Sequence, residues 1–234
     1  MSFYRDVEAA LKSQNLKAIA VLTALPQWVK ASPNKEALYV DKFIKVVANT
    51  FKGSNSIIGY QIWNEPNDAS NDDNGILGFS DPQKYFELVQ KAAPAIKAIS
   101  PNKLVLNAST TSIIQNYRDT ISYNEKLMSL GIESYIDKYA FHYYGDPYTT
   151  LLRPYGALEF LKSVSIPLWV TEVGTPHFDK HSSYAKIKIP YLLSRLGNLE
   201  RVFWYQFDGG PGDKEYNITN GVDTSTLYQY LLTK

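Results

Sequence analysis

The chain has 234 residues, 44% of them hydrophobic, which is enough for one sizeable core. Its 24 Lys and Arg against 23 Asp and Glu leave a formal net charge of +1, which removes any electrostatic case for nucleic acid, an acidic partner or an anionic membrane surface. The absence of Cys excludes disulfides, thiol catalysis and zinc–thiolate sites, and only three His (His142, His177, His181) argue against a metal centre. No stretch approaches the roughly 18 apolar residues of a membrane span. The opening MSFYRDVEAALKSQ lacks the apolar centre of a signal peptide.

In chain order, a helix is predicted over Phe3–Ser13, followed by a strand at Leu16–Leu22 (LKAIAVL). Val40, Phe43, Ile44, Val47, Ala48 and Phe51 fall on one face of a second helix. A second strand spans Ile57–Trp63 (IIGYQIW). The polar run Asn67–Gly78 reads as a solvated loop, since its acidic spacing fails a calcium loop: Ser70 stands where the first acid belongs. Asp81-Pro82 supplies an N-cap and a first-turn proline for a helix carrying Tyr85, Leu88, Val89, Ala92 and Ile96 on one face. A strand at Lys103–Ala108 and a helix at Ser122–Leu130 come next, the latter stopped by Gly131. Strands at Asp137–Tyr144, Pro167–Val173 and Val202–Asp208 complete the series. A helix at Ser182–Leu196, kinked by Pro190, precedes the last strand, and one at Leu227–Leu232 comes after it.

The strands recur every ~30–45 residues and several are continuous apolar runs, as in parallel sheets buried on both faces. Six strand–helix units in alternation imply an α/β fold with right-handed crossovers. No linker or charge block divides it, so residues 1–234 read as a single domain.

In such folds chemistry gathers at the C-terminal ends of the strands. The second strand ends Trp63-Asn64-Glu65-Pro66-Asn67 and the fifth ends Thr171-Glu172-Val173-Gly174. Each Glu is a lone acid on an apolar strand, and burying a charge there is costly unless it is paired or neutralised. Either alone reads equally well as a helix cap or an ion-pair partner. Together, two carboxylates at equivalent strand ends are what glycosidic bond cleavage requires: one protonated acid and one ionised nucleophile or base. Strand parity puts Ala140, His142 and Tyr144 on one face of the fourth strand. His142 alone reads also as a satisfied core histidine. His177 and His181, in the polar loop after the fifth strand, read as exposed loop residues with rim contact to a substrate as the alternative, and Trp169 reads as core. Trp63, Trp204 and Trp28 are placed where a sugar could stack. Asp146 and Asp208 read equally as substrate contacts or loop caps. No nucleophile elbow, phosphate loop or dinucleotide fingerprint is present.

The segments IWNEPN (Ile62–Asn67) and WVTEVG (Trp169–Gly174) resemble the two active-site signatures of clan A glycoside hydrolases, retaining (β/α)8-barrel enzymes, with flanking text closest to families 39 and 5. The resemblance implies a TIM-barrel-like fold with Glu65 as acid/base and Glu172 as nucleophile. It implies that Asn64 bonds the sugar 2-hydroxyl and that His142 and Tyr144 form the clan's His-x-Tyr, with the Tyr on the nucleophile. Trp204 matches the aromatic floor of the sugar site, often followed by a non-proline cis peptide. Trp28, in Leu25-Pro26-Gln27-Trp28, matches a Pro-x-Trp subsite loop. No metal or cofactor is implied.

The motif order makes the six strands those numbered three to eight of the barrel, so strands one and two, and the Arg they carry near the nucleophile, have no counterpart in this sequence. The barrel is then open, or completed by another chain, with a homo-oligomer covering the edges at Leu16–Leu22 and Val202–Asp208; a natural short form and a piece of a longer enzyme fit equally. Two functions are compatible with this. One is a retaining hydrolase of a β-linked glycoside or polysaccharide. The alternative is an inactive or weakly active relative serving as a carbohydrate-binding, structural or assembly module. Localisation stays open, although polymeric substrates suit extracellular action. Asn107-Ala-Ser matches a glycosylation pattern but ends a strand, and Asn217-Ile-Thr matches it too.

Overall fold

The computed structural model describes residues 2–114, 117–150, 156–208, 214–219 and 224–231. Their order is α1 (Ser2–Ser13), β1 (Ala18–Leu22), α2 (Gln27–Lys30), α3 (Lys35–Tyr39), a π turn (Val40–Ile44) and α4 (Lys45–Phe51). Then come β2 (Ile57–Ile62), α5 (Asp72–Leu77), α6 (Pro82–Ile99), β3 (Leu104–Asn107), α7 (Tyr117–Ser129) and β4 (Tyr139–Tyr143). The remainder is α8 (Pro147–Thr150), α9 (Ala157–Ser163), β5 (Leu168–Val173), α10 (His181–Ser183), a second π turn (Tyr184–Lys188), α11 (Ile189–Arg195), β6 (Leu199–Trp204) and α12 (Thr226–Leu231). Among the described residues the strands form two parallel three-stranded sheets, β1-β2-β3 and β4-β5-β6, so the fold is α/β with six strands of the TIM-barrel type. No described helix is long and apolar enough to cross a membrane. The chain divides into two compact units, Met1–Thr110 with Tyr123–Tyr139, and Thr111–Ser122 with Ala140–Lys234.

In the first unit β2 is the central strand, and Leu22 aligns with Ile62 and Ile62 with Asn107, so the three strands end in one row. Gly59 permits this: a Cβ there would stand 2.6 Å from the Leu104 carbonyl oxygen and 3.0 Å from Ile19 Cδ1. The predicted face of α6 is buried in full, and Asp81 caps it, its Oδ1 accepting from Gln83 N at 2.9 Å. Much of the aromatic content is core. Edge-to-face contacts link Tyr39 to Trp63, Trp63 to Phe79 and Phe79 to Tyr85, with centroids 5.3–5.6 Å apart. The Tyr85 hydroxyl donates to the Ile62 carbonyl at 2.9 Å and accepts from Ala108 N at 2.5 Å, tying the ends of β2 and β3 to α6. Lys103, at the other end of β3, is buried with its Nζ donating to the carbonyls of Ser54 and Ile57. Burial pushes its pKa down.

In the second unit β5 pairs with β6, and both faces of β4 are buried from Ala140 to Tyr143. The last strand departs from expectation: it runs Leu199–Trp204 rather than Val202–Asp208. Glu200 and Arg201 hide it from a hydropathy reading because they extend along an exposed stretch of strand. Pro190 stands at the start of α11, directly after the π turn Tyr184–Lys188, and this is where the predicted helix Ser182–Leu196 is interrupted. Helices α2, α5, α8 and α9 are short, with no full period of apolar residues to announce them. The final helix ends at Leu231, and Leu232 lies outside the described residues.

Candidate active site

The first unit carries Asn64 and Glu65 on the turn that leaves β2. Trp63 and Glu65 both have left-handed backbone, φ 75° and 42°. Non-glycine residues hold such angles only where their surroundings over-determine them. Here Trp63 N donates to the Leu22 carbonyl and Glu65 N to the Ser109 carbonyl, each at 2.8 Å, so neighbouring strands grip the turn. Gln61 Nε2 donates to Trp63 O at 2.9 Å and to Asn64 Oδ1 at 3.2 Å. Asn64 and Glu65 are half-buried.

Trp63 is fully buried, so it packs rather than stacking a sugar. Its indole Nε1 donates to Asn74 Oδ1 at 2.7 Å, and Asn74 Nδ2 donates to the carbonyls of Glu65 and Asp68, both at 2.8 Å. The run Asn67–Gly78 is therefore no solvated loop. It contains α5, capped by Asn71 Oδ1 accepting from Asp73 N at 3.0 Å, with Asp73 and Asn74 buried. Asp73 accepts from Leu25 N at 2.7 Å and pairs with Lys30 at 2.5 Å, which fixes the loop that carries Trp28. Trp28 itself is 49% exposed on α2.

The second unit carries His142, Tyr144 and Glu172. The Tyr144 hydroxyl donates to Glu172 Oε2 at 2.7 Å, and His142 Nε2 lies 3.4 Å from Oε1. His142 is fully buried and the Glu172 side chain 24% exposed, so the carboxylate is held from within and open on one side. Ser112 anchors the strand end: its Oγ accepts from Tyr144 N at 2.8 Å, and Ile113 N donates to His142 O at 3.0 Å.

The aromatic floor is arranged differently from expectation. Trp204 is half-buried, packed on His181 at 4.9 Å and Tyr184 at 5.8 Å between centroids, with Nε1 donating to Tyr216 O. Tyr205 and Tyr216 are the rings beside Tyr144, at 6.0 and 5.5 Å. The non-proline cis peptide is Tyr205-Gln206, one bond later than the Trp204 signature places it. Nothing in the sequence separates Tyr205 and Tyr216 from the other tyrosines. A cleft of about 380 Å³ opens from Tyr144 along Asp146, Thr175, His177, Lys180 and Lys188. Asp146 is a loop cap, its Oδ1 accepting from Tyr148 N at 3.0 Å and its Oδ2 paired with Lys188 at 2.8 Å. His177 is exposed, but His181 is buried, contrary to its reading as a loop residue. Asn107 and Asn217 are buried too, so neither glycosylation pattern is presented at the surface.

A comparison with curated proteins finds no match. Solved structures do match. The catalytic domain of Thermobifida fusca endoglucanase Cel5A shares 17% identity at a TM-score of 0.62, over 99% of this chain and 73% of that one. Thermotoga maritima Cel5A shares 16% at 0.63, over 99% and 75%. A family 39 glycoside hydrolase from the gut symbiont Bacteroides cellulosilyticus WH2 shares 21% at 0.63, over 93% and 49%, so this chain spans about half that protein's length. Residues 3–206 match the cellulase family, glycosyl hydrolase family 5. The chain, with its two glutamate signatures on parallel strands of a TIM-barrel-type α/β fold, belongs to the cellulase family, glycosyl hydrolase family 5.

Proposed function

We propose that the protein is a retaining glycoside hydrolase that cleaves a β-linked glycoside or polysaccharide. The carrying observation is the Glu172 carboxylate at the end of β5, which accepts from the Tyr144 hydroxyl at 2.7 Å and has His142 Nε2 3.4 Å away. A carboxylate held this way is aimed and short of rotational freedom, as a nucleophile must be. In the first step Glu172 attacks the anomeric carbon while Glu65, as the acid, protonates the departing oxygen, leaving a glycosyl ester on Glu172. In the second, Glu65 as carboxylate takes a proton from water, which displaces Glu172 with the original configuration restored. Asn64 holds the sugar 2-hydroxyl, Trp204 and Trp28 supply stacking surface, and Tyr205 adds a ring beside Tyr144.

A second reading, a carbohydrate-binding or structural module without turnover, is favoured by the 49–75% of the similar hydrolase structures that this chain spans. A panel of aryl β-glycosides, glucans, mannans and xylans separates the two. Turnover is expected, lost on Glu172→Gln and cut roughly 10²–10⁴-fold on Glu65→Gln for poor leaving groups. The product released first is the β anomer by NMR. Turnover that survives both substitutions refutes the assignment of these residues, and saturable oligosaccharide binding without hydrolysis establishes the second reading.

A further inference from the structure

We propose that Asn74 is a positioning residue for Glu65, acting through the backbone and never touching substrate; this rests on the reading of Glu65 as acid/base. Asn74 is 2% exposed on α5 and uses three of the hydrogen-bonding sites of its carboxamide. Nδ2 donates to the carbonyls of Glu65 and Asp68 at 2.8 Å each, and Oδ1 accepts from the Trp63 indole at 2.7 Å. The Glu65 residue is thereby held on both sides, its N–H on the Ser109 carbonyl and its C=O on Asn74 Nδ2 at 2.8 Å, which reinforces the local turn bond from Asp68 N at 3.0 Å. Between these bonds its backbone stands at φ 42°, a conformation a glutamate relaxes from when released.

The chemistry selects asparagine. Two donors and one acceptor on a short planar group are what this point needs, and no other side chain of that volume supplies them. Aspartate, equal in shape, would set carboxylate oxygens against two carbonyl oxygens. Leucine would leave the buried indole N–H without its acceptor and strip one of two donors from each carbonyl, Asp68 N remaining on Glu65 O at 3.0 Å and Asn71 N on Asp68 O at 3.3 Å.

The test compares Asn74→Asp, Asn74→Leu and the milder Asn74→Ser with Glu65→Gln on two β-glycosides of one sugar. The 2,4-dinitrophenyl glycoside departs without a proton, whereas the phenyl glycoside needs one. A misplaced acid costs only the second. The expected result is a loss in kcat/KM of roughly 100-fold on the phenyl substrate with little change on the dinitrophenyl one, in the same direction as Glu65→Gln. Equal losses on both substrates, or none, overturn the proposal. A crystal structure of Asn74→Ser or Asn74→Leu gives an activity-independent readout: Glu65 leaving positive φ supports it, and an unchanged Glu65 backbone overturns it. If the wild type cleaves neither glycoside, the acid/base reading of Glu65 fails, and the backbone measurement alone decides the role of Asn74.

Discussion

Gly174 closes the second glutamate signature, and adding one methyl group there tests how tightly the Glu172 side is packed. An alanine Cβ would stand 2.8 Å from the Tyr205 carbonyl oxygen, 3.0 Å from Tyr216 Cδ1 and 3.6 Å from Cε1. Ordinary contact begins near 3.5 Å, so the backbone at Tyr205 must yield by roughly half an ångström or more. Overpacking of this kind costs about 1–3 kcal/mol, while Gly→Ala recovers about 0.4–1 kcal/mol from the unfolded chain, leaving a net loss near 1–2 kcal/mol. With a urea dependence of about 3 kcal/mol/M the unfolding midpoint of Gly174→Ala falls by about 0.5 M. Gly197→Ala is the control, since no atom lies within 4 Å of a Cβ there, and its midpoint holds or rises. Because Tyr205 and Tyr216 flank Tyr144, kcat falls in Gly174→Ala and not in Gly197→Ala. Equal midpoints and equal kcat in the two variants would show that the Tyr205–Tyr216 wall gives way freely, and the packing argument would be wrong.

Stability also depends on pH through His181. Burial holds its pKa below the ordinary 6.5, against the opposing pull of the Thr175 and Glu215 carbonyls on Nε2. The unfolded chain therefore takes up this proton near pH 6.5 and the folded chain only at lower pH, so stability is full above that value and falls as pH drops beneath it. A melting series from pH 7 to pH 5 shows the decline, and His181→Gln flattens it; an equal slope in the variant refutes this. Asp73→Leu lowers stability by about 3 kcal/mol in urea, because it strands Lys30 and the Leu25 N–H together. Lys30→Met costs less, since Asp73 keeps the Leu25 N–H as donor. The opposite order of the two variants would contradict the geometry.

The fold was legible where hydrophobic period and caps agree. The α6 face from Tyr85 to Ile96 and the Asp81 cap can be read directly from spacing. The strand ends carrying Glu65, His142 and Glu172 are legible because a lone polar residue on an apolar run stands out. Asn74 was hidden inside a polar run whose composition looks like solvent-facing chain, and only tertiary contact shows that its carboxamide is buried. Trp63 read as a sugar platform because its place at a strand end is the same for a ring facing the substrate and one facing the core; the left-handed turn at φ 75° aims it inward. Tyr205 and Trp204 are adjacent and equally aromatic, and the bounds of β6 decide which ring meets Tyr144.

The two π turns, Val40–Ile44 and Tyr184–Lys188, each absorb one residue more than a regular α-helix would use over the same rise. A length change inside a helix ordinarily rotates everything beyond it by about 100° and ruins the buried face. Here that rotation has already been taken up locally, so Ile44, Val47 and Phe51 remain buried at and beyond the first turn. Lys42 is an exposed member of that turn, and its removal would convert the segment to continuous α-helix without re-aiming Val47, Ala48 and Phe51. Each turn is therefore a place within a helix where this chain can lose a residue and keep its core.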